Sequence, residues 1–286
     1  MSNEDTDALA AATTQASEAV ERLSQELSAA KKLAALLHQL KTYRKKDWLL
    51  HIKTLCEKEK AFLAELRKQE RPVISPIEEL YRESKERAGK AIEQLPRDIQ
   101  RLAEQAGISI DTTLSRHPKY YFLQDGFVEV RIDDKKQTAS LDNRESRGSP
   151  MPADAGAIIE AVADERRRLF ERGMPGGKFL AAVYKAYQQL LKKKEGARAG
   201  DSVALRDIYA RMVDNRKDSK APRYQADEFL IDVSTLVEHG PGEIEGMGFT
   251  LQQTKDIHEG ILFIGPAGKG GMVSLIRFHP KGQSES

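Results

Sequence analysis

Apolar residues recur along this chain in two rhythms, and the places where the rhythm changes divide it. Residues 7 to 70 contain neither glycine nor proline and are rich in Ala, Leu, Glu, Lys and Gln, all strong helix formers. Within them Val20, Leu23, Leu27, Ala30, Ala34 and Leu37 step by three and four residues in alternation, which is the heptad seam of a coiled coil. The seam blurs over residues 41–48 and resumes with Ile52, Leu55, Phe62 and Leu66. A long helix or helical hairpin with a break near Tyr43–Trp48 is therefore predicted, ending at Pro72. Ser75-Pro76-Ile77-Glu78 reads as a helix start, with Ser as N-cap, Pro at the first helical position and Glu at the third. Ile77, Leu80, Tyr81, Ala88, Ala91, Ile92 and Leu95 carry that helix to Pro96, which should interrupt it before a shorter helix reaches Gly107.

A period of two takes over at residues 120–141. The segments YYFL, FVEVRI and QTASL are separated by Gln-Asp-Gly and Asp-Asp-Lys-Lys turns, a small antiparallel sheet. The polar segment 143–154 reads as a boundary. Beyond it, Ile158, Ile159, Val162, Leu169 and Phe170 predict a helix. A second follows from Lys178, carrying Phe179, Leu180, Val183, Tyr184, Tyr187, Leu190 and Leu191. A short extended piece leads to a third helix, with Leu205, Ile208, Tyr209, Met212 and Val213. A fourth carries Phe229, Leu230, Val233, Leu236 and Val237, with Gly240 at its C-cap. FTLQQT and MVSLIRF close the chain as a hairpin around GPAGKGG. The fold class is mostly α with small β elements, an α+β chain. Its expected parts are a helical coiled-coil arm (1–72), helices plus a small antiparallel sheet (73–142), a linker (143–155) and a C-terminal domain (156–286).

From Lys178 to His279 the order helix, extended piece, helix, helix, hairpin resembles a winged helix, a module that binds nucleic acid or other proteins. A helical N-terminal arm joined to such a module is similar in layout to the kleisin-like partners of chromosome-structuring ATPases. Those bridge an ATPase's neck and head and also serve bacterial plasmid- and phage-defence complexes. The resemblance implies a subunit without enzymatic activity or cofactor, in a DNA-associated complex, with an ATPase as one partner.

Charge narrows this reading. The 286 residues hold 46 Lys+Arg against 44 Asp+Glu, a net charge of +2, so any nucleic-acid face must be a local patch rather than a property of the whole chain. From Lys185 to Arg223 eleven Lys and Arg face five Asp and Glu, while Tyr224 to Glu243 carries five acids and no Lys or Arg. A reading helix bearing Asp227 and Asp232 would meet phosphate with repulsion, so base-specific readout by it is not expected. Backbone contact to double-stranded DNA, without sequence code, would fall to Arg206, Arg211, Arg216, Lys217, Lys220, Arg223 and Lys269. Partner contacts would fall to Val20, Leu23, Leu27 and Leu37 of the seam, joining a second copy or another protein, and to Asp227 and Asp232.

Other chemistries are weaker in the pattern. The single cysteine, Cys56, precludes an intrachain disulfide. With an acidic N-terminus and no apolar run near the ~20 residues that span a bilayer, it points to the cytoplasm. GPAGKGG lacks the early glycine and the following Ser or Thr of a phosphate loop. Two rivals remain. One is a sequence-specific regulator reading DNA with residues 97–116, where LAEQAGIS imitates the start of a helix-turn-helix. The other is a metal-dependent nuclease built on Asp125, Asp133, Asp134 and Lys135 of the central sheet, although Asp and Lys are common turn residues. No two histidines have zinc-ligand spacing.

Overall fold

The computed structural model of the chain describes residues 3–215, 223–256, 259–263 and 271–281. They gather into two compact units, Met1–Glu93 and Gln94–Ser286. The architecture is mostly helical with two small antiparallel sheets, as the periodicities require.

The first unit holds α1 (Asn3–Lys45), α2 (Leu49–Lys58), α3 (Lys60–Lys68) and the start of α4 (Ile74–Gln105). The blurred seam is a true break: Asp47 adopts φ 54, and Trp48 stacks on Tyr43 with ring centroids 5.8 Å apart. Past this break the chain turns back. Leu36 and Leu40 of α1, Ile52 and Cys56 of α2 and Ile77 of α4 form one core, with Tyr43, Phe62, Leu80 and Tyr81 packed around it. Burial pushes the Cys56 thiol up to about 11, so it stays protonated and inert.

Pro96 does not interrupt α4, which runs unbroken from Ile74 to Gln105. A proline removes one backbone hydrogen bond and crowds the carbonyl four residues back. Ile77, Ala88, Leu95, Ile99 and Ala103, all buried on one stripe, supply enough burial to hold the helix through that defect. The division between the units falls at Glu93–Gln94, within the turn ahead of this proline.

In the second unit, Gly107 (φ 62) ends the α4 segment in a left-handed conformation that glycine adopts without strain. Residues 108–116 then form turns and no second helix. Ile110 bridges Phe122, and Asp111 Oδ1 accepts the N–H groups of Thr113 and Leu114 at 2.8 and 2.9 Å. The reading helix of the regulator alternative is thus absent from 108–116. The first sheet is a meander of β1 (Lys119–Phe122), β2 (Val128–Asp133), β3 (Thr138–Asp142) and β4 (Met151–Pro152). Val128, Val130 and Ile132 alternate inward from β2. Strand β4 comes from the expected linker, pairing Ala139 with Met151.

Helix α5 (Ala155–Leu169) follows, then α6 (Gly176–Lys193), β5 (Val203–Ala204), α7 (Leu205–Asp214), α8 (Ala226–His239), β6 (Glu243–Ile244), β7 (Met247–Gln253), β8 (Ile261–Phe263) and β9 (Gly271–Pro280). Strand β9 pairs with β7, and also with β5 and β8. This is the helix–strand–helix–helix–hairpin order read from the sequence. The core runs through Leu180, Val183 and Tyr187 of α6, Leu205 and Ile208 of α7, Phe229 and Leu230 of α8 and Phe278 of β9. Tyr184 and Tyr187 flank Phe278 at 4.8 and 4.9 Å between centroids. Gln225 and Glu228 close a reciprocal capping box on α8, satisfying two otherwise orphaned donors.

Between β3 and β4, residues 143–148 curl back onto the sheet. Asn143 Oδ1 accepts the N–H groups of Glu145 and Ser146 at 2.9 and 2.7 Å, and Asp142 Oδ1 accepts that of Gly148 at 3.1 Å. A Cβ on Gly148 would strike the carbonyl oxygen of Leu141. Gly148→Ala should therefore cost about 1–3 kcal/mol, measured as a lower urea midpoint with an unchanged slope. An unaltered midpoint would show that the loop does not hold this approach in solution.

Candidate interaction surfaces

The first surface is the free length of α1. Val20, Leu23 and Leu27 are 67, 61 and 56% exposed, and they are three of the five exposed large apolar side chains among the described residues. Ala30 and Ala34 of the same seam are exposed as well. Leu37 differs, since it packs against the unit's own core and is only half available to a partner. The face turned inward is a separate one. Leu36 and Leu40 are buried, and Lys32 between them and the seam's end pairs with Glu59 at 2.6 Å and sits 4.6 Å over the Phe62 ring.

The second lies around α8, where the acids are not surface groups. Asp227 is 1% exposed and Asp232 4%, which removes both from the set of partner-facing residues. Every residue from Ala226 to Leu236 is buried or half-buried, so this helix presents no stripe to a groove. The reason differs from the repulsion argued from charge: α5 packs against α8, and Arg168 at its end and Arg172 in the turn beyond it meet the carboxylates of α8. Arg168 grips Asp227 with both terminal nitrogens, at 3.1 and 2.5 Å. Asn143 and Ser146 donate to the same carboxylate at 2.9 and 3.3 Å. Arg172 and the Tyr224 hydroxyl both donate to Asp232. Burial raises the Asp227 carboxyl, but the bonds from Arg168 and Asn143 outweigh it and hold it below the usual range. Burial also pushes Asp232 up, and Tyr224 and Arg172 pull it only part of the way back. The sequence reading missed Arg168, Arg172, Asn143 and Tyr224. The one signal was a pair of arginines, Arg168 and Arg172, at and just past the end of an amphipathic helix.

Of the candidate DNA-contacting cations, Arg206 is committed internally. It holds Glu145 at 3.1 and 3.2 Å and donates to the Gly260 carbonyl at 2.9 Å. Arg211 donates to Gln189 at 2.7 Å. Arg223 is exposed, as are Lys185, Lys192, Lys193, Lys194 and Arg198 along and just past α6. Arg216, Lys217, Lys220 and Lys269 lie outside the described residues, as does the GPAGKGG loop up to its last glycine.

Of the nuclease residues, Asp133 and Asp134 are each engaged by a different neighbour. Asp133 accepts the Lys136 N–H at 3.0 Å and pairs with the Lys136 ammonium at 3.6 Å, which is a turn contact. Asp134 lies 2.8 Å from His117 Nε2, whose other ring nitrogen is 3.2 Å from the Tyr120 hydroxyl. The Asp125 side chain lies outside the described part. Among the described residues, no group of three or more His, Cys, Asp or Glu is placed to hold a metal, and no helix is long and apolar enough to cross a membrane. A cleft of about 320 Å³ is lined by Tyr121, Phe127, Arg131, Asp142 and Arg147. Two of its arginines are matched from within: Arg131 pairs with Glu129 at 2.9 Å and Arg147 with Asp142 at 3.8 Å.

Asp227→Asn should destabilise the fold at pH 7 by about 1–3 kcal/mol, because it removes the buried charge that Arg168, Asn143 and Ser146 are arranged around, while Glu165 and Glu228 still hold Arg168. Asp227 has its pKa depressed by folding, so its contribution is present above the unfolded value near ~3.9 and lost as pH falls through the folded value. The gap between wild type and Asp227→Asn should thus begin to narrow below about pH 4. Asp232→Asn should cost less at pH 7, since folding already disfavours its charged form. Chemical denaturation of the three proteins at pH 7 and pH 3.5 tests this, and equal costs at both pH values would contradict it.

Comparison with protein-family models, with curated proteins and with solved structures finds no match to the chain.

Proposed function

We propose that this protein is a non-enzymatic assembly subunit. Its N-terminal helix joins it to another helix, and its C-terminal module, of winged-helix type, docks on a partner protein and touches DNA only through the backbone. One observation carries the reading: three large apolar residues in heptad register stand in water on the free length of a helix whose later turns, from Leu36 on, pack in the unit's own core. Exposed apolar residues scattered singly are ordinary, whereas a contiguous stripe marks an interface. The burial of α8 between α5 and α6 supports a docking role over base reading, because the helix that would enter a groove is covered. The exposed cations along α6 and at Arg223 suit phosphate, which carries no sequence information. By its layout the complex is of the kind built around chromosome-structuring ATPases, with plasmid or phage defence in bacteria as the setting.

Leu23→Asp/Leu27→Asp should abolish association through α1 while leaving the fold intact, because both side chains lie in water in the single chain. Solution mass and co-purification from the host read the outcome. A variant that keeps wild-type mass and wild-type partners removes α1 as the assembly element.

DNA binding should be weak, indifferent to sequence and steeply dependent on salt. If Arg216, Lys217, Lys220 and Arg223 each neutralise one phosphate, log affinity against log salt has a slope of about −3.6. Titrating two unrelated duplexes tests it, and a preference for one duplex or a flat response to salt would refute sequence-neutral contact.

A further inference from the structure

The seam on α1 specifies what it binds. Helical residues are separated by about 100° of rotation. On that basis Val20, Leu23, Leu27, Ala30 and Ala34 centre about 160° around the helix from Lys32, Leu36 and Leu40, the residues engaged by the unit's own core. The steps of three and four residues fix the heptad positions, since a to d spans three residues and d to the next a spans four. Val20, Leu27 and Ala34 are therefore a positions, and Leu23, Ala30 and Leu37 are d positions. A β-branched residue at a followed by Leu at d, as Val20 and Leu23 provide, favours two strands.

Charge selects the orientation. The positions flanking the seam are Ala19, Glu26 and Leu33 at g and Ser24, Lys31 and His38 at e. Glu26 and Lys31 are both exposed. In a parallel two-stranded coil each g residue faces the e residue five positions later on the other strand. Glu26 of each copy then meets Lys31 of the other, which gives two symmetric ion pairs. In an antiparallel coil g faces g and e faces e, so Glu26 could never reach Lys31, and a centred pairing would set Glu26 against Glu26.

We infer that the partner of α1 is a second copy of this chain, aligned parallel and in register, with Glu26–Lys31 pairs closing both sides of the seam. This rests on the proposed role of α1 as the assembly element and adds its partner and geometry. The small residues Ala30 and Ala34 let the strands approach closely but bury little area, so the dimer is held mainly by Val20, Leu23 and Leu27 and dissociates on dilution.

The full-length chain tests this by sedimentation across a concentration series and by cross-linking of Val20→Cys with oxidised glutathione. A parallel, in-register pair places the two thiols introduced at position 20 opposite one another. The parent chain, whose Cys56 is buried, serves as the control and should not cross-link. Expected are a concentration-dependent dimer, a disulfide dimer of Val20→Cys, and weakening by Glu26→Lys or Lys31→Glu of about threefold to tenfold in dissociation constant. Glu26→Lys mixed with Lys31→Glu should recover wild-type affinity, because each meets its complement. A dimer that fails to cross-link and ignores both charge changes overturns the parallel register while leaving α1 an assembly element. A chain that stays monomeric throughout overturns the second copy as partner. Assembly through α1 itself fails only if Leu23→Asp/Leu27→Asp leaves host co-purification unchanged.

Discussion

Taking a carboxylate out of water costs several kcal/mol unless a cation and hydrogen-bond donors replace its hydration, and helix α8 removes two. Asp227 and Asp232 lie among Phe229, Leu230 and Val233, so the helix can be buried all round only where Arg168 and Arg172 arrive to meet them. That requirement sets the place of α5, whose Arg168 reaches Asp227, and of the turn after it, whose Arg172 reaches Asp232. It also explains why residues 143–147 are bound into the second unit. Asn143 and Ser146 complete the shell of Asp227, while Glu145 takes up Arg206. A segment with the composition of a linker thereby belongs to the fold.

The same accounting of surface and solvent runs the other way on α1. There the chain commits the last turns of a helix to its own core and leaves its earlier length, with an apolar seam of regular spacing, in water. Within the first unit the break at Trp48 returns α2 against Leu36 and Leu40 but not against Val20, Leu23 or Leu27. Folding of the single chain therefore ends with a stripe unburied. The two units differ in this: one holds a helix with an open apolar seam, the other a closed helix whose buried acids are neutralised from within.

Much of this was legible in the chain itself. Heptad steps, the run without glycine or proline, the alternation at 120–141 and the four amphipathic stripes from Ile158 to Val237 determined the kind and order of elements, because local periodicity reports which face of each element avoids water. The tertiary structure decided what no local pattern encodes. Pro96 stays within α4 because burial on both sides of it outweighs a local defect. Residues 108–116 turn instead of forming a second helix because Ile110 and Phe122 pair across the sheet's edge. The local charge of the stretch holding Asp227 and Asp232 suggested an acidic face, but net charge along a sequence does not say which charges meet. The arginines that neutralise them lie 59 and 60 residues away along the chain, and only folding brings such distant partners within reach of one another.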